Sequence, residues 1–157
     1  MRMATLLLPG LMFLGACATT QDLVNRVPMP GVLERESNEA RIAAVLYDVE
    51  EGMERGRVFK VVSHISPRYR DQAGRDYEGI RQYVARLLRN YRDIRITRAG
   101  SRIAVDGDRA TVIETFGTVA MPYNLDENVP INLQGQVTVR LAREDGVWKI
   151  IEWGSLQ

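Results

Sequence analysis

Apolar and polar residues alternate most regularly between residues 131 and 153. Ile131, Leu133, Gly135, Val137, Val139 and Leu141 fall on one side, and Asn132, Gln134, Gln136, Thr138, Arg140 and Ala142 on the other, the period of two that marks a strand. Arg143-Glu144-Asp145-Gly146 supplies a turn in which glycine takes positive φ at no steric cost, and Val147-Trp148-Lys149-Ile150-Ile151-Glu152-Trp153 returns rich in β-branched and aromatic residues. Trp148 and Trp153 have opposite parity on that return, so at most one is expected to face the interior. A hairpin is marginal alone and needs further elements against its apolar face. Upstream, Ile94 and Ile96 alternate with polar neighbours, Gly100-Ser101 reads as a turn, and Ile103 and Val105 alternate again up to the turn signal Asp106-Gly107. Residues 109–120 form the next strand, partly apolar on both faces. Residues 121–130, with Pro122, Pro130 and Asp126-Glu127, are long for a hairpin connection and form a candidate rim or binding loop. The pattern predicts about four to six antiparallel strands.

Helical periodicity precedes the strands. Ile42, Val45, Leu46, Val49 and Met53 make one apolar stripe, with Ser37 as the expected N-cap, Glu39 in the first turn and Gly56 at the end. A second, short helix carries Val58, Val61, Val62 and Ile65 and stops at Ser66-Pro67, because the residue before proline is pushed out of the helical region. A third begins at Asp76, a capping carboxylate, and carries Ile80, Val84, Leu87, Leu88 and Tyr91; Gly79 in its first turn costs about 1 kcal/mol relative to alanine. Residues 18–35 show little periodicity, and Pro28 and Pro30 argue against a regular helix there, so this stretch is expected to be a tether.

The start of the chain changes the picture from a free domain to an exported one. Met1-Arg2-Met3 is a short basic region, the eleven residues 4–14 are largely apolar but too few to span a bilayer, and Gly15-Ala16 are small residues at a cleavage position. Leu14-Gly15-Ala16-Cys17 resembles the bacterial lipobox, in which the peptide is cut before a cysteine that then carries the lipid, and Cys17 is the only cysteine. Residues 1–16 therefore read as a lipoprotein signal peptide, 17–36 as lipidated cysteine and tether, and 37–157 as one domain. Several acyl chains, as the resemblance implies, give stable anchoring where one gives only marginal binding. Ala18 after the cysteine, rather than an aspartate, points to the outer membrane, with the domain facing the periplasm.

With 157 residues, 45% apolar and 26% charged, the chain can build one core without metals or disulfides. Removal of Arg2 with the leader leaves 20 basic against 20 acidic residues, so the basic excess of a general polyanion binder is missing, and export separates the domain from nucleic acid. Charge is unevenly placed: residues 34–54 hold seven acids and two bases, residues 68–102 ten arginines and four acids. Arg81, Arg86, Arg89, Arg92, Arg95, Arg98 and Arg102 are expected to share a solvated basic surface suited to an anionic envelope component. His64 is the only histidine, which leaves no plausible zinc cluster; near a helix end its imidazolium would suit the negative pole. No phosphate-binding glycine loop or nucleophile elbow can be assembled, and no cofactor is called for.

Three helices followed by these strands resemble the nuclear transport factor 2-like superfamily, which includes ketosteroid isomerase and polyketide cyclases. The resemblance rests on Gly56-Arg57, Tyr77-Glu78-Gly79-Ile80, Asp106-Gly107-Asp108-Arg109-Ala110 and Asp145-Gly146-Val147-Trp148-Lys149-Ile150. It implies an α+β fold, three N-terminal helices packed on a curved antiparallel sheet in a cone around a pocket. It also implies candidate site residues. Asp71 stands near the place of a carboxylate base, or else pairs as a loop acid with Arg68, Arg70 or Arg75. Glu114 is either a paired cavity acid or a residue on the solvent face of a twisted strand. Tyr47 and Tyr69 are the available donors. The leading expectation is a non-catalytic envelope lipoprotein with a binding or structural role through its pocket, which would take a small apolar ligand, or its sheet face. The alternatives are an acid-base enzyme of isomerase or dehydratase type using a cavity carboxylate, and a dimerisation module pairing through Asn132, Gln134, Gln136 and Thr138. For the anchor, Cys17→Ser is expected to release a folded domain into the soluble periplasm, and radiolabelled fatty acid should enter the wild type but not the variant; an unlabelled wild type would exclude the lipoprotein assignment.

Overall fold

The computed structural model describes residues 30–155 and 157, with side chains from Asn38 onward, and its chain runs through three helices into four strands: α1 Pro30–Glu54, α2 Val58–Val62, α3 Tyr77–Asn90, β1 Tyr91–Asp106, β2 Arg109–Pro122, β3 Ile131–Glu144 and β4 Val147–Trp153. The leader, Cys17 and the tether up to residue 29 lie outside the described residues. The strands form a single antiparallel meander in the order β1-β2-β3-β4. Two of its hairpins close as their sequences suggest: Asp106 pairs with Arg109 around Gly107, and Glu144 with Val147 around Asp145 and Gly146, whose φ angles are 49° and 79°. Positive φ at both central residues matches the right-handed twist of the flanking strands.

Four sequence expectations are corrected. α1 starts at Pro30, seven residues before Ser37, so Ser37 lies inside the helix and the tether loses residues 30–36. Proline blocks a helix interior but is well placed in a first turn, where its missing N–H would have had no partner. Gly100-Ser101 does not turn. Arg98 pairs with Phe116 and Gly100 with Thr115, so β1 continues past one extra residue, Ala99, as a bulge. That insertion moves the inner face from Ile94, Ile96 and Arg98 to Ser101, Ile103 and Val105, and the parity change is what made one strand read as two. A bulge in β4 likewise lets Leu141 pair with Ile150 while Arg140 pairs with Glu152 and Val139 with Trp153. Trp148 and Trp153 therefore both face inward despite their opposite numerical parity.

The apolar stripes meet on the inner face of the sheet. Ile42, Val45, Leu46 and Val49 of α1 pack with Val61, Ile65, Ile80 and Val84 against Val112, Val139, Leu141, Trp148 and Ile150. α1 and α2 approach so closely that a Cβ on Gly52 would lie 2.8 Å from Val61 Cγ2 and 3.2 Å from the Val61 amide nitrogen. Asp76 caps α3 as expected, its Oδ1 accepting from Gly79 N at 2.9 Å.

Both sheet edges find partners. His64 O accepts from Ile150 N at 2.8 Å, Ser66 N donates to Ile150 O at 2.9 Å and Arg70 N to Ile151 O at 3.0 Å, so the segment after α2 covers β4. On the opposite edge Glu54 Oε1 accepts from Ile96 N at 2.9 Å. These contacts occupy backbone groups that would otherwise template pairing with another chain. Beyond β4, Gly154 N donates to Thr138 O at 2.9 Å, and Gln157 and Gln136 exchange backbone bonds at 3.0 and 3.1 Å. Trp148 is 2% exposed and its Nε1 donates to Asn38 Oδ1 at 3.4 Å, so Trp148→Ala is expected to cost about 3–5 kcal/mol; an unchanged chemical denaturation midpoint would contradict this packing.

Candidate functional site

Between α1, α3 and the inner face of the sheet lies a cavity of about 240 Å³. Its walls are mostly aliphatic and aromatic: Leu46, Val49 and Met53 from α1, Leu87 from α3, Ile96 from β1 and Phe116 from β2. Ala120, Ile131 and Ile94 line it toward the strand ends next to the 121–130 connection, while Glu50, Arg98 and Glu114 bring charge into it. Tyr83, Thr118 and Trp153 add polar atoms to otherwise apolar walls. Met53, Tyr83 and Trp153 also line a neighbouring cavity of about 280 Å³ with Arg75 and Ile80, so these three side chains stand between the two spaces.

The three charged residues come from three elements. Helical spacing puts Glu50 beside the stripe residue Val49; strand alternation turns Glu114 inward with Val112 and Phe116; β1 turns Arg98 inward immediately before its bulge. Arg98 Nη2 lies 2.9 Å from Glu50 Oε2, and Arg98 Nε 3.0 Å from Glu114 Oε1. The second contact has ion-pair distance without hydrogen-bond direction: Glu114 Oε1 is buried, and no protein donor among the described residues is aimed at it. A buried acceptor left in that state costs about 1–3 kcal/mol, more for a charged group. Burial pushes the Glu114 carboxyl above the ordinary range; Arg98 opposes this and Glu50 adds to it.

The other sequence candidates do not join this cluster. Asp71 is buried, its side chain 1% exposed, and it closes the loop before α3. Arg75 Nε donates to Oδ2 at 2.6 Å, the Tyr69 hydroxyl to the same oxygen at 3.0 Å, and Arg75 N to Oδ1 at 2.9 Å. Burial raises its pKa, but the bonds from Arg75 and Tyr69 outweigh burial and hold it below the usual carboxylate range. It is thus neither a solvated loop acid nor a base facing the cavity. Its pairing with Arg75 was among those the sequence offered. Tyr69 is spent on Asp71, and burial followed by that bond raises its pKa. Tyr47 is 61% exposed and absent from the cavity wall. Of the four candidates, only Glu114 lines the cavity.

Two further expectations change. His64 lies 3.4 Å from Asp48 through Nε2, yet burial lowers its pKa, with Lys149 and Lys60 adding to the fall and Asp48 only partly offsetting it. Burial thus works against the imidazolium expected at a helix end, although Asp48 supports it. Arg98 leaves the basic surface for the cavity. Of the remaining arginines, Arg81 pairs with Glu78 and Arg92 with Asp93, and Arg86, Arg89, Arg95 and Arg102 are exposed. Sequence reasoning missed the cavity roles of Glu50, Arg98 and Tyr83. The i,i+4 spacing of Glu50 from Leu46 was the one signal that placed Glu50 beside the buried stripe. Among the described residues no cluster of His, Cys, Asp or Glu is placed to hold a metal.

No protein-family profile matches the chain, and no curated protein matches it in sequence. Solved structures do. A candidate scytalone dehydratase from Novosphingobium aromaticivorans superposes with a TM-score of 0.68 at 13% identity, over 76% of this chain and 83% of its own. A candidate dehydratase of the nuclear transport factor 2-like family from Streptomyces avermitilis gives 0.65 at 15% identity, over 76% and 95%. The type 3 hexachlorocyclohexane dehydrochlorinase of Novosphingobium barchaimii gives 0.66 at 19%, over 78% and 87%. The domain has the nuclear transport factor 2-like fold.

The buried carboxyl has a consequence for stability. A folded-state pKa above the unfolded one means that Glu114 destabilises the fold progressively as pH rises through the raised value, and not below the ordinary value of about 4.3. Glu114→Gln is expected to raise the urea midpoint relative to wild type at pH 8 and to leave it nearly unchanged at pH 4; the same difference at both pH values would exclude a raised pKa.

Proposed function

We propose that the chain is a lipoprotein of the bacterial envelope, anchored through Cys17 in the outer membrane and facing the periplasm, whose domain binds a small, largely apolar molecule in the cavity between α1 and the sheet. The observation that carries the binding role is the cavity itself. Its walls are mostly apolar, and its charged groups Glu50, Arg98 and Glu114 meet one another, the composition of a small-molecule site. At about 240 Å³ it falls below the range of roughly 300–1,000 Å³ usual for drug-sized ligands, so its occupant is small. Anchoring rests on the sequence around Cys17. No helix among the described residues is long and apolar enough to cross a membrane.

A second reading, acid-base catalysis by elimination, is favoured by the Glu114 carboxyl, since burial moves it toward the range in which a carboxylate exchanges protons near neutrality. Dehydratases and a dehydrochlorinase share the fold, which supports this reading by analogy only. The binding reading needs fewer groups. A general acid to complete an elimination would come from Tyr83, the sole phenol on the cavity wall, or from Glu50, which is already paired with Arg98.

Ala120, 3% exposed on the cavity wall, offers a direct test. Ala120→Phe is expected to keep the fold and to abolish binding of a small apolar fluorescent dye that wild type takes up. Equal dye binding by both proteins would show that the cavity is not the site.

A further inference from the structure

The cavity's charges do not cancel. Among its lining residues are two carboxylates, Glu50 and Glu114, and one guanidinium, Arg98. Arg98 is engaged from the α1 side by Glu50 at 2.9 Å, and its Nε stands 3.0 Å from Glu114 Oε1 without pointing a hydrogen at it. Glu114 lines the cavity with its side chain 9% exposed, and its buried Oε1 has no donor directed at it. A donor entering the cavity beside Glu114 supplies the carboxylate with the directed hydrogen bond that the protein does not, and a cationic donor also offsets the second negative charge.

Resting on the binding role proposed above, we infer that the cavity selects small apolar molecules carrying a primary ammonium group, which donates to the Glu114 carboxylate while the hydrocarbon fills the space among Leu46, Phe116 and Ile131. A neutral alcohol can donate the same hydrogen bond but leaves the charge unbalanced, and a carboxylate can pair with Arg98 only by displacing Glu50 or Glu114. The charged groups that act on Glu114 are Arg98 from β1 and Glu50 from α1. Ammonium binding requires ionised Glu114, so affinity rises with pH through the raised carboxyl pKa and then levels off while the ammonium remains protonated.

The test compares benzylammonium, benzyl alcohol and benzoate by calorimetric titration of the full-length protein and its E114Q variant between pH 5 and pH 8. Wild type at pH 8 is expected to prefer benzylammonium to benzyl alcohol by roughly tenfold or more, the scale of one charge-assisted hydrogen bond, and to lose that preference as the pH falls. E114Q, whose fold is checked by near-UV circular dichroism and a cooperative urea transition, should bind benzylammonium and benzyl alcohol within about twofold of each other. Equal binding of amine and alcohol by wild type, or an amine preference that survives in E114Q, would overturn the ammonium assignment and leave the cavity as an apolar site. Tightest binding of benzoate would assign recognition to Arg98 and overturn it too. Failure of all three compounds, with Ala120→Phe giving the same blank titration, would instead remove the binding role on which the inference rests.

Discussion

Side chains alternate across a strand, so one extra residue reverses which of them face the interior. Of the three register shifts in the sheet, at Arg92–Arg95, at Ala99 and in β4, two set which side chains reach the cavity. At Ala99 in β1 the extra residue allows Arg98 on one side of the bulge and Ile103 and Val105 on the other to point toward the helices. At Ile151 in β4 it allows Trp148 and Ile150 to fill the core while Trp153 reaches the cavity wall. A regular pleat in β1 would have sent either Arg98 or Ile103 to solvent. The bulges also bend and twist their strands, as a sheet must if a single long helix is to pack across it.

What α1 contributes is therefore more than apolar area. Its stripe covers the sheet, its Glu50 meets Arg98 inside the cavity, and its Glu54 bonds the Ile96 amide on the β1 edge. A buried ion pair seldom adds net stability, because removal of both charges from water opposes their attraction. Here the geometry is incomplete as well, since Glu114 Oε1 lacks a directed donor. Such an acid, kept in an apolar cavity at a cost to the fold, is characteristic of functional sites more than of structural ones. Asp71 is the contrast. It is equally buried but fully bonded by Arg75 and Tyr69, and its lowered pKa belongs to a loop closure.

The fold itself does not choose among chemistries, since one scaffold hosts many sites. The local chemistry narrows them. The only histidine is committed to the α2 end of the domain, where His64 O pairs with β4 and its ring faces Asp48. Proton transfer in the cavity would thus fall to carboxyl and phenol groups.

The sequence by itself determined the element types and most of the core. The stripe Ile42, Val45, Leu46 and Val49, the cap at Asp76, the Asp145-Gly146 turn and the inward series Val137, Val139 and Leu141 all follow from local periodicity and turn chemistry, and all occur. Tertiary structure decided what local pattern cannot encode. A bulge looks like a turn until the pairing partner is known, and a proline reads as a breaker until its place in a first turn is seen. Whether an acid is a base, a staple or a solvated charge depends on which donors converge on it from distant segments. Glu114 and Asp71 are both acids flanked by other residue types in sequence; only the approach of Arg98 and Glu50 to one, and of Tyr69 and Arg75 to the other, separates a cavity carboxyl from a loop closure.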